Sequence, residues 1–202
     1  MSKLERRTLA CGIEVRAEEG APPKIVGHAA VFDQNSLDLG FTERVAPGAF
    51  ARAIAERQDV RALWNHDPSY VLGRSAAGTL ALSEDAVGLL YEIDPPDTQW
   101  ARDLMASLKR GDVTQSSFSF EARTDQWRKG SDGSWTRTLL DVDLYDVSPV
   151  TFPAYLGTDA SSRMRETGLY VPVPPISADD EQRNESLRAR LAHAERWNRT
   201  RA

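Results

Sequence analysis

The chain has 202 residues and 41% hydrophobic content, which is enough for one sizeable core and too little for two full domains. Its 30 acidic and 25 basic residues give a formal net charge of −5, so no general attraction to nucleic acid or to an anionic membrane is expected. No apolar window is long enough to span a bilayer, and Cys11 is the only cysteine, so we expect a soluble, unexported protein of a reducing compartment such as the cytoplasm.

The predicted elements are mostly short strands. The pattern indicates a buried strand at 24–32 and then a helix at 49–58, which follows Pro47 and Gly48. Four short strands are predicted next, at 60–64, 71–74, 79–82 and 88–93. The clearest helix is predicted at 98–109, where apolar residues recur on one face before a basic last turn and a glycine.

A long hairpin is predicted in the second half of the chain. Segments 113–124 and 136–151 are rich in β-branched and aromatic residues and flank a turn with two glycines, beside which Trp127 and Trp135 are expected to pair. Further on, a proline-rich stretch at 169–177 predicts a linker. The last segment, 178–202, alternates acidic and basic residues and predicts an exposed helical tail, which leaves 1–168 as the folded domain.

Histidine is the usual general base near neutral pH, and the chain has three. His28 lies within a predicted buried strand and His193 in the charged tail, whereas His66 lies at a strand end, in the segment Asn65-His66-Asp67-Pro68 that ends the strand predicted at 60–64. His66 is therefore the best placed base, while a simple role as a hydrogen-bonded turn residue stays open. His66 and Asp67 have no second histidine at i+4 and no cysteine pair nearby, so neither a metal nor another cofactor is predicted.

Three serines interrupt an otherwise apolar and aromatic predicted strand. Alternation along the strand places Ser117 and Ser119 on one face, and Ser116, Phe118 and Phe120 on the other. If the two phenylalanines pack inward, Ser117 faces an open groove, where a neighbouring base could take its proton and make it a nucleophile. The alternative is a strand that merely carries small hydroxyls.

The acidic residue that would orient the histidine has three candidates, Asp141, Asp143 and Asp146. Alternation puts Asp146 on the apolar side of its strand, with Val142 and Leu144, and a carboxylate on an apolar face needs a partner such as an imidazole. We therefore prefer Asp146, with Asp143 second. Solvated carboxylates on an edge strand remain the alternative for all three.

Eight motifs follow one another along roughly the first 160 residues. They are Ile25-Val-Gly-His-Ala-Ala-Val-Phe32, Glu43-Arg-Val-Ala-Pro-Gly-Ala-Phe50, Val60-Arg-Ala-Leu-Trp-Asn-His-Asp67, Leu72-Gly-Arg74, Gly78-Thr-Leu80, Gly111-Asp-Val113, Ser117-Phe-Ser-Phe120 and Asp146-Val-Ser-Pro-Val-Thr-Phe-Pro-Ala-Tyr155. This ordered set resembles the tailed-phage prohead protease family, serine peptidases that belong with the herpesvirus assemblin-like proteases.

The resemblance implies a mainly β member of the α+β class, a compact antiparallel β-barrel with flanking helices, followed here by the C-terminal helical tail. It implies that 1–168 is a serine protease domain in which His66 matches the catalytic histidine and Ser117 the nucleophile. Asp146 lies on the strand that carries the acidic partner. Ser116 and Ser119 stay open as nucleophiles, because the family often has glycine or another small residue where this chain has these serines.

The resemblance also implies a biological role. The expected activity is a serine endopeptidase of a phage or prophage that cleaves capsid or scaffold protein, and itself, during prohead maturation. It would act inside the assembling prohead in the host cytoplasm, self-associate there, and need no cofactor, nucleic acid or membrane. An alternative from another class is a catalytically inactive, protease-like scaffold whose charged tail docks into the shell.

Overall fold

The computed structural model describes residues 4–9, 12–17, 20–36, 39 and 41–152. These residues belong to one unit, Met1–Thr158. The predicted linker at 169–177 and helical tail at 178–202 lie outside the described residues, as do Cys11 and His193, so the proposed division into 1–168, linker and tail stays a prediction. Within the described part the fold is mainly β, as predicted.

Strands provide most of the described elements. They are β1 (Glu5–Leu9), β2 (Ile13–Arg16), β3 (Lys24–Val31), β4 (Thr42–Val45), β5 (Arg61–Trp64), β6 (Asp67–Arg74), β7 (Leu80–Glu84), β8 (Gly88–Ile93), β9 (Gln115–Lys129) and β10 (Trp135–Val150). The helices are α1 (Ala51–Ala55) and α2 (Gln99–Arg110), and a short 3-10 turn spans Ser75–Ala77.

Most predicted elements are confirmed, with shifted ends. The helix predicted at 98–109 is α2, and it ends at Gly111, whose positive φ of 81° suits a glycine at a helix C-terminus. The predicted hairpin is β9 with β10, and Trp127 meets Trp135 edge-on with ring centroids 6.4 Å apart. The helix predicted at 49–58 is shorter, because α1 spans only Ala51–Ala55. The pattern did not predict β1, β2 or β4.

The strands form two sheets. The six-stranded sheet has the order β1-β9-β10-β5-β6, with β4 also paired to β10, and the four-stranded sheet has the order β2-β3-β8-β7. The prediction of a closed antiparallel barrel is wrong. In the described part the outer strands β1 and β6 do not pair with each other, so the sheet stays open. It is also not purely antiparallel, because β10 runs parallel to both β4 and β5, which pair with different stretches of it.

One face of the β9–β10 hairpin forms part of the hydrophobic core. Phe118 and Phe120 are fully buried and stack with ring centroids 5.0 Å apart, and Phe50 meets Phe118 edge-on at 5.5 Å. The condition that these two phenylalanines pack inward is met. Because successive side chains of a strand point to opposite faces, Ser117 and Ser119 are directed away from this core.

A β-bulge at Tyr145 changes which face of β10 carries its carboxylate. Leu144 pairs with Phe120, whereas Asp146 pairs with Ser119, so Tyr145 is an extra residue between two ladder positions. Directly opposed residues of two strands point to the same side of a sheet. Asp146 therefore shares a face with Ser119, and the predicted placement of Asp146 beside Leu144 on the apolar face is wrong.

The close approach of β3 to β8 gives a prediction about stability. A Cβ atom at Gly88 would lie 1.9 Å from the carbonyl oxygen of Ala30, and backbone cannot move aside as the end of a side chain can. We expect Gly88→Ala to lower the free energy of unfolding by about 1–3 kcal/mol. Gly12→Ala is the matched control, since a Cβ there has nothing within 4 Å. Equal stability of the two variants in urea unfolding would contradict this packing.

Candidate active site

His66 lies in the two-residue turn that joins β5 to β6. Trp64 pairs with Asp67 across this hairpin, and the intervening Asn65 and His66 both have positive φ, at 56° and 58°. Two central residues at positive φ are typical of type I′ hairpin turns. The left-handed backbone is uncommon for histidine and is costly, so neighbouring contacts must hold it. The prediction that His66 lies at a strand end is confirmed, since it directly precedes β6.

Asn65 supplies contacts that hold this turn. Its backbone N–H donates to the carbonyl oxygen of Pro149 at 3.0 Å, and its side-chain Oδ1 accepts from the N–H of Thr151 at 2.8 Å. Asparagine also tolerates the left-handed conformation better than most residues. The turn that carries His66 is therefore attached to the carboxyl end of β10.

His66 bridges a serine and an aspartate. Its Nε2 lies 2.6 Å from Ser117 Oγ, and its Nδ1 lies 2.5 Å from Asp146 Oδ1. The imidazole side chain is 7% exposed, the carboxylate side chain 10%, and Ser117 is fully buried. Burial strengthens these hydrogen bonds because little water competes for them. An imidazole that keeps its proton on Nδ1, facing the carboxylate, has a free lone pair on Nε2 for the serine proton.

Two more serine hydroxyls surround the imidazole and carboxylate. Ser148 donates a hydrogen bond to Asp146 Oδ1 at 2.9 Å, and Ser119 Oγ lies 3.3 Å from His66 Nδ1 and accepts from Arg6 Nε at 3.3 Å. Ser148 was not predicted as a site residue from the sequence. Its position two residues after Asp146, on the same face of a strand, was the signal that could have identified it.

The hydrogen bonds to Asp146 set its ionisation. Burial by itself would raise the pKa of this carboxyl. The hydrogen bond from His66 and its charge, together with the hydroxyls of Ser119 and Ser148, instead hold the pKa of Asp146 below its ordinary value. The group is therefore an anion near neutral pH and can stabilise an imidazolium.

The structure does not bring the other two aspartates to His66. Arg52 of α1 binds both of them, with its Nε 2.9 Å from Asp141 Oδ2 and its Nη2 2.8 Å from Asp143 Oδ1. Gln58 and Arg123 also bind Asp143. Burial opposes the shift, but these donors hold the pKa of Asp143 at about 2. Asp141 and Asp143 thus anchor α1 to β10.

The remaining candidates from the sequence lie elsewhere. Ser116 Oγ is 2.8 Å from the hydroxyl of Tyr91 on the core side of β9, and His28 Nε2 is 2.8 Å from Asp85 Oδ2. Of the three serines on β9, only Ser117 contacts Nε2 of His66.

The open groove predicted in front of Ser117 is absent from the described structure. Strand β1 pairs with the outer edge of β9, with Thr8 opposite Ser117, and Ser117 is fully buried. The carbonyl oxygen of Arg7 accepts a hydrogen bond from Ser117 Oγ at 2.9 Å. The groove prediction is wrong because a strand that the sequence pattern did not indicate covers this edge.

The described residues offer no cluster of three or more His, Cys, Asp or Glu side chains arranged to hold a metal ion. Among the same residues, neither α1 nor α2 is long and apolar enough to cross a membrane.

Comparison with known proteins finds a family and a solved structure that are similar to this chain. The family model described as caudovirus prohead serine protease matches residues 12–170, a stretch that includes His66, Ser117 and Asp146. The structure of the bacteriophage T4 capsid assembly protease, gp21, is similar with a TM-score of 0.46 and 11% sequence identity; the match covers 73% of this chain and 97% of that one. No curated protein matches the chain significantly.

The lowered pKa of Asp146 predicts how stability depends on pH. A carboxyl whose pKa is lower in the folded than in the unfolded state stabilises the fold above its ordinary pKa of 3.8, and this contribution is lost as the pH falls through the folded value. We expect Asp146→Asn to lower the free energy of unfolding near neutral pH by about 1–3 kcal/mol. Urea unfolding at several pH values measures it. If the stability difference between Asp146→Asn and the unmodified protein did not decrease in acid, the ionised carboxylate would not be its cause.

Proposed function

This chain belongs to the caudovirus prohead serine protease family, and we propose that it is a serine endopeptidase with Ser117 as nucleophile, His66 as general base and Asp146 as the residue that orients His66. The observation that carries the proposal is the continuous hydrogen-bonded chain from Ser117 through His66 to Asp146. Serine is unreactive at neutral pH unless a base takes its proton, and this chain supplies the base in contact.

The proposed reaction has two halves. His66 Nε2 takes the proton of Ser117 as Oγ forms a bond to the carbonyl carbon of a peptide substrate, which gives a tetrahedral intermediate. The imidazolium then gives that proton to the leaving nitrogen as the C–N bond breaks, and an acyl-enzyme remains. Water, deprotonated by His66, attacks the ester, and the imidazolium returns the proton to Ser117 Oγ as the acyl C–O bond breaks, which releases the acid product and the free serine.

Asp146 acts on the reaction through His66. Its carboxylate keeps the imidazole proton on Nδ1 and stabilises the positive charge that forms when Nε2 takes the serine proton. Ser148 is a positioning residue, because its hydroxyl fixes the oxygen of Asp146 that meets the imidazole. The backbone hydrogen bond of Asn65 to Pro149 holds the turn that carries the imidazole ring.

The proposed substrates are proteins of the assembling prohead. Family membership supports a capsid or scaffold polypeptide as the substrate, inside the prohead. That the protease acts in the host cytoplasm and self-associates in the prohead is part of the proposal. The same activity would trim the chain's own segment 178–202. The formal net charge of −5 fits a protein partner better than nucleic acid.

The nucleophile is tested by Ser117→Ala. We expect turnover to fall by about 10⁴–10⁶-fold, so that a co-expressed capsid protein stays uncleaved, because no other hydroxyl touches His66 Nε2 in the described structure. Gel analysis of the capsid protein measures the cleavage. Ser116→Ala is the matched control, since its hydroxyl contacts Tyr91 instead. Undiminished processing by Ser117→Ala would refute the assignment.

The third residue is tested by two isosteric changes on the same strand. We expect Asp146→Asn to reduce turnover by about 10³–10⁴-fold, because an amide neither fixes the tautomer nor balances the imidazolium. Asp143→Asn is expected to retain most activity, since Asp143 binds Arg52, Gln58 and Arg123. Cleavage of a peptide by each purified variant measures both. If Asp143→Asn lost more turnover than Asp146→Asn, the role would belong to Asp143.

A further inference from the structure

We propose that the outer edge of β9 binds the substrate as an extended strand with a basic residue at the position of Arg7, and that β1 is a substrate-like occupant that closes this edge until it leaves. The inference rests on the proposed function, because it takes Ser117 as the nucleophile. It concerns the substrate class of the site and the control of access to it.

The described conformation leaves no path for a peptide carbonyl to Ser117. Strand β10 pairs with one edge of β9 along nearly its full length, and β1 pairs with the other edge over Phe120 to Ser116. With both edges of β9 paired in this way, Ser117, Ser119 and Ser148 are all fully buried. Hydrolysis requires the scissile carbonyl carbon to reach Oγ, so one of the two edges has to open.

Only β1 can leave without dismantling the site. Strand β10 carries Asp146 and Ser148 and also pairs with β4 and β5, so its departure would remove the carboxylate and break three pairings. Strand β1 has five residues, stands at the end of the six-stranded sheet and pairs there with β9 alone. It also lies before residue 12, where the family match begins.

The backbone of β1 takes the place expected of a bound peptide. Extended peptides commonly bind to proteins by adding a strand to a sheet edge, and β1 does this in antiparallel register beside the nucleophile. The carbonyl oxygen of Arg7 accepts the hydroxyl proton of Ser117 at 2.9 Å, while His66 Nε2 lies 2.6 Å from the same Oγ. Because a serine has one hydroxyl proton, Arg7 competes with the base for it.

The side chain of Arg7 enters a largely buried ionic cluster. Arg7 binds both oxygens of Glu43, at 2.5 and 2.9 Å, and Glu5 at 2.6 Å. Glu43 is 2% exposed and also binds Arg137 at 3.0 Å, and Arg137 binds Asp125 at 2.7 Å. When β1 leaves, the cluster loses the carboxylate of Glu5 and the guanidinium of Arg7, while Glu43 stays paired with Arg137. No single buried charge of the cluster is then left without a partner, which would be costly.

The same cluster selects for a basic residue in the substrate. When Arg7 leaves, Oε1 of Glu43 loses its partner, because Arg137 contacts the other oxygen, Oε2. A buried carboxylate oxygen without a donor is unfavourable, and an arginine or lysine from an incoming strand would restore the hydrogen bond. Glu43 therefore favours a basic side chain at the residue whose carbonyl faces Ser117.

The first experiment uses the full-length chain and a fluorophosphonate probe that reacts with activated serines. Arg7→Glu places a second carboxylate beside Glu43 and should release β1, so we expect labelling of Ser117 to be about tenfold faster or more, in proportion to the open fraction. Arg16→Glu is the matched control, because it makes the same charge change at an exposed ion pair in β2. Equal or slower labelling of folded Arg7→Glu would overturn the closure by β1.

Hydrogen exchange of the unmodified protein tests the same opening should Arg7→Glu not fold. We expect the amides of Glu5–Leu9 to exchange much faster than those of Asp146–Val150, because β1 opens by itself. Equal protection of the two segments would overturn the proposal. Absence of Ser117 labelling in every variant, including one with fast β1 exchange, would instead refute the proposed function.

A peptide competition tests the basic residue. A synthetic peptide of residues 4–9, Leu-Glu-Arg-Arg-Thr-Leu, should slow the labelling of full-length Arg7→Glu by occupying the open edge. The same peptide with the Arg7→Glu change should not, since it brings a carboxylate to Glu43. Equal competition by the two peptides would overturn the selection for a basic side chain.

Discussion

The antiparallel ladder between β9 and β10 separates two environments, and the other strands of its sheet are arranged around it. On one side, Phe118 and Phe120 pack into the hydrophobic core and hold β9 against it. On the other side, Ser117 and Asp146 project toward the turn that carries His66. Loss of this ladder would disrupt the core and the hydrogen-bonded chain together, since Phe118 and Ser117 both lie on β9 and Asp146 pairs with β9 at Ser119.

Two separate attachments to β10 position the imidazole. Asp146 binds Nδ1 from the side chain, and the end of the same strand holds the turn through Asn65, which bonds Pro149 and Thr151. The strained left-handed backbone at His66 is thus paid for by contacts to the strand that also supplies the carboxylate. The base, on the β5–β6 turn, and the carboxylate are therefore both anchored to β10, whereas the serine lies on β9.

Much of this site was predictable, because strand alternation and turn signals are local. The hairpin, the helix α2 and the facing of Ser117 away from Phe118 all follow from local patterns. Asp146 was selected for a wrong reason, because a bulge at Tyr145 leaves no trace in alternation and reverses the face of every later residue of β10. Strand β1 was missed since its charged residues are typical of exposed chain, and their partners Glu43 and Arg137 are far away in the sequence.

The cover that β1 gives to β9 has a second effect, on association between molecules. An uncovered strand edge with unpaired amide and carbonyl groups is a template for other chains, and the outer edge of β9 beside Ser117 would be long and bordered by aromatic residues. A short strand that carries Glu5, Arg6 and Arg7 is a poorer template. The strand that closes access to the nucleophile would therefore also protect the stretch Ser116–Phe120 of this edge from pairing with a second copy of the protein.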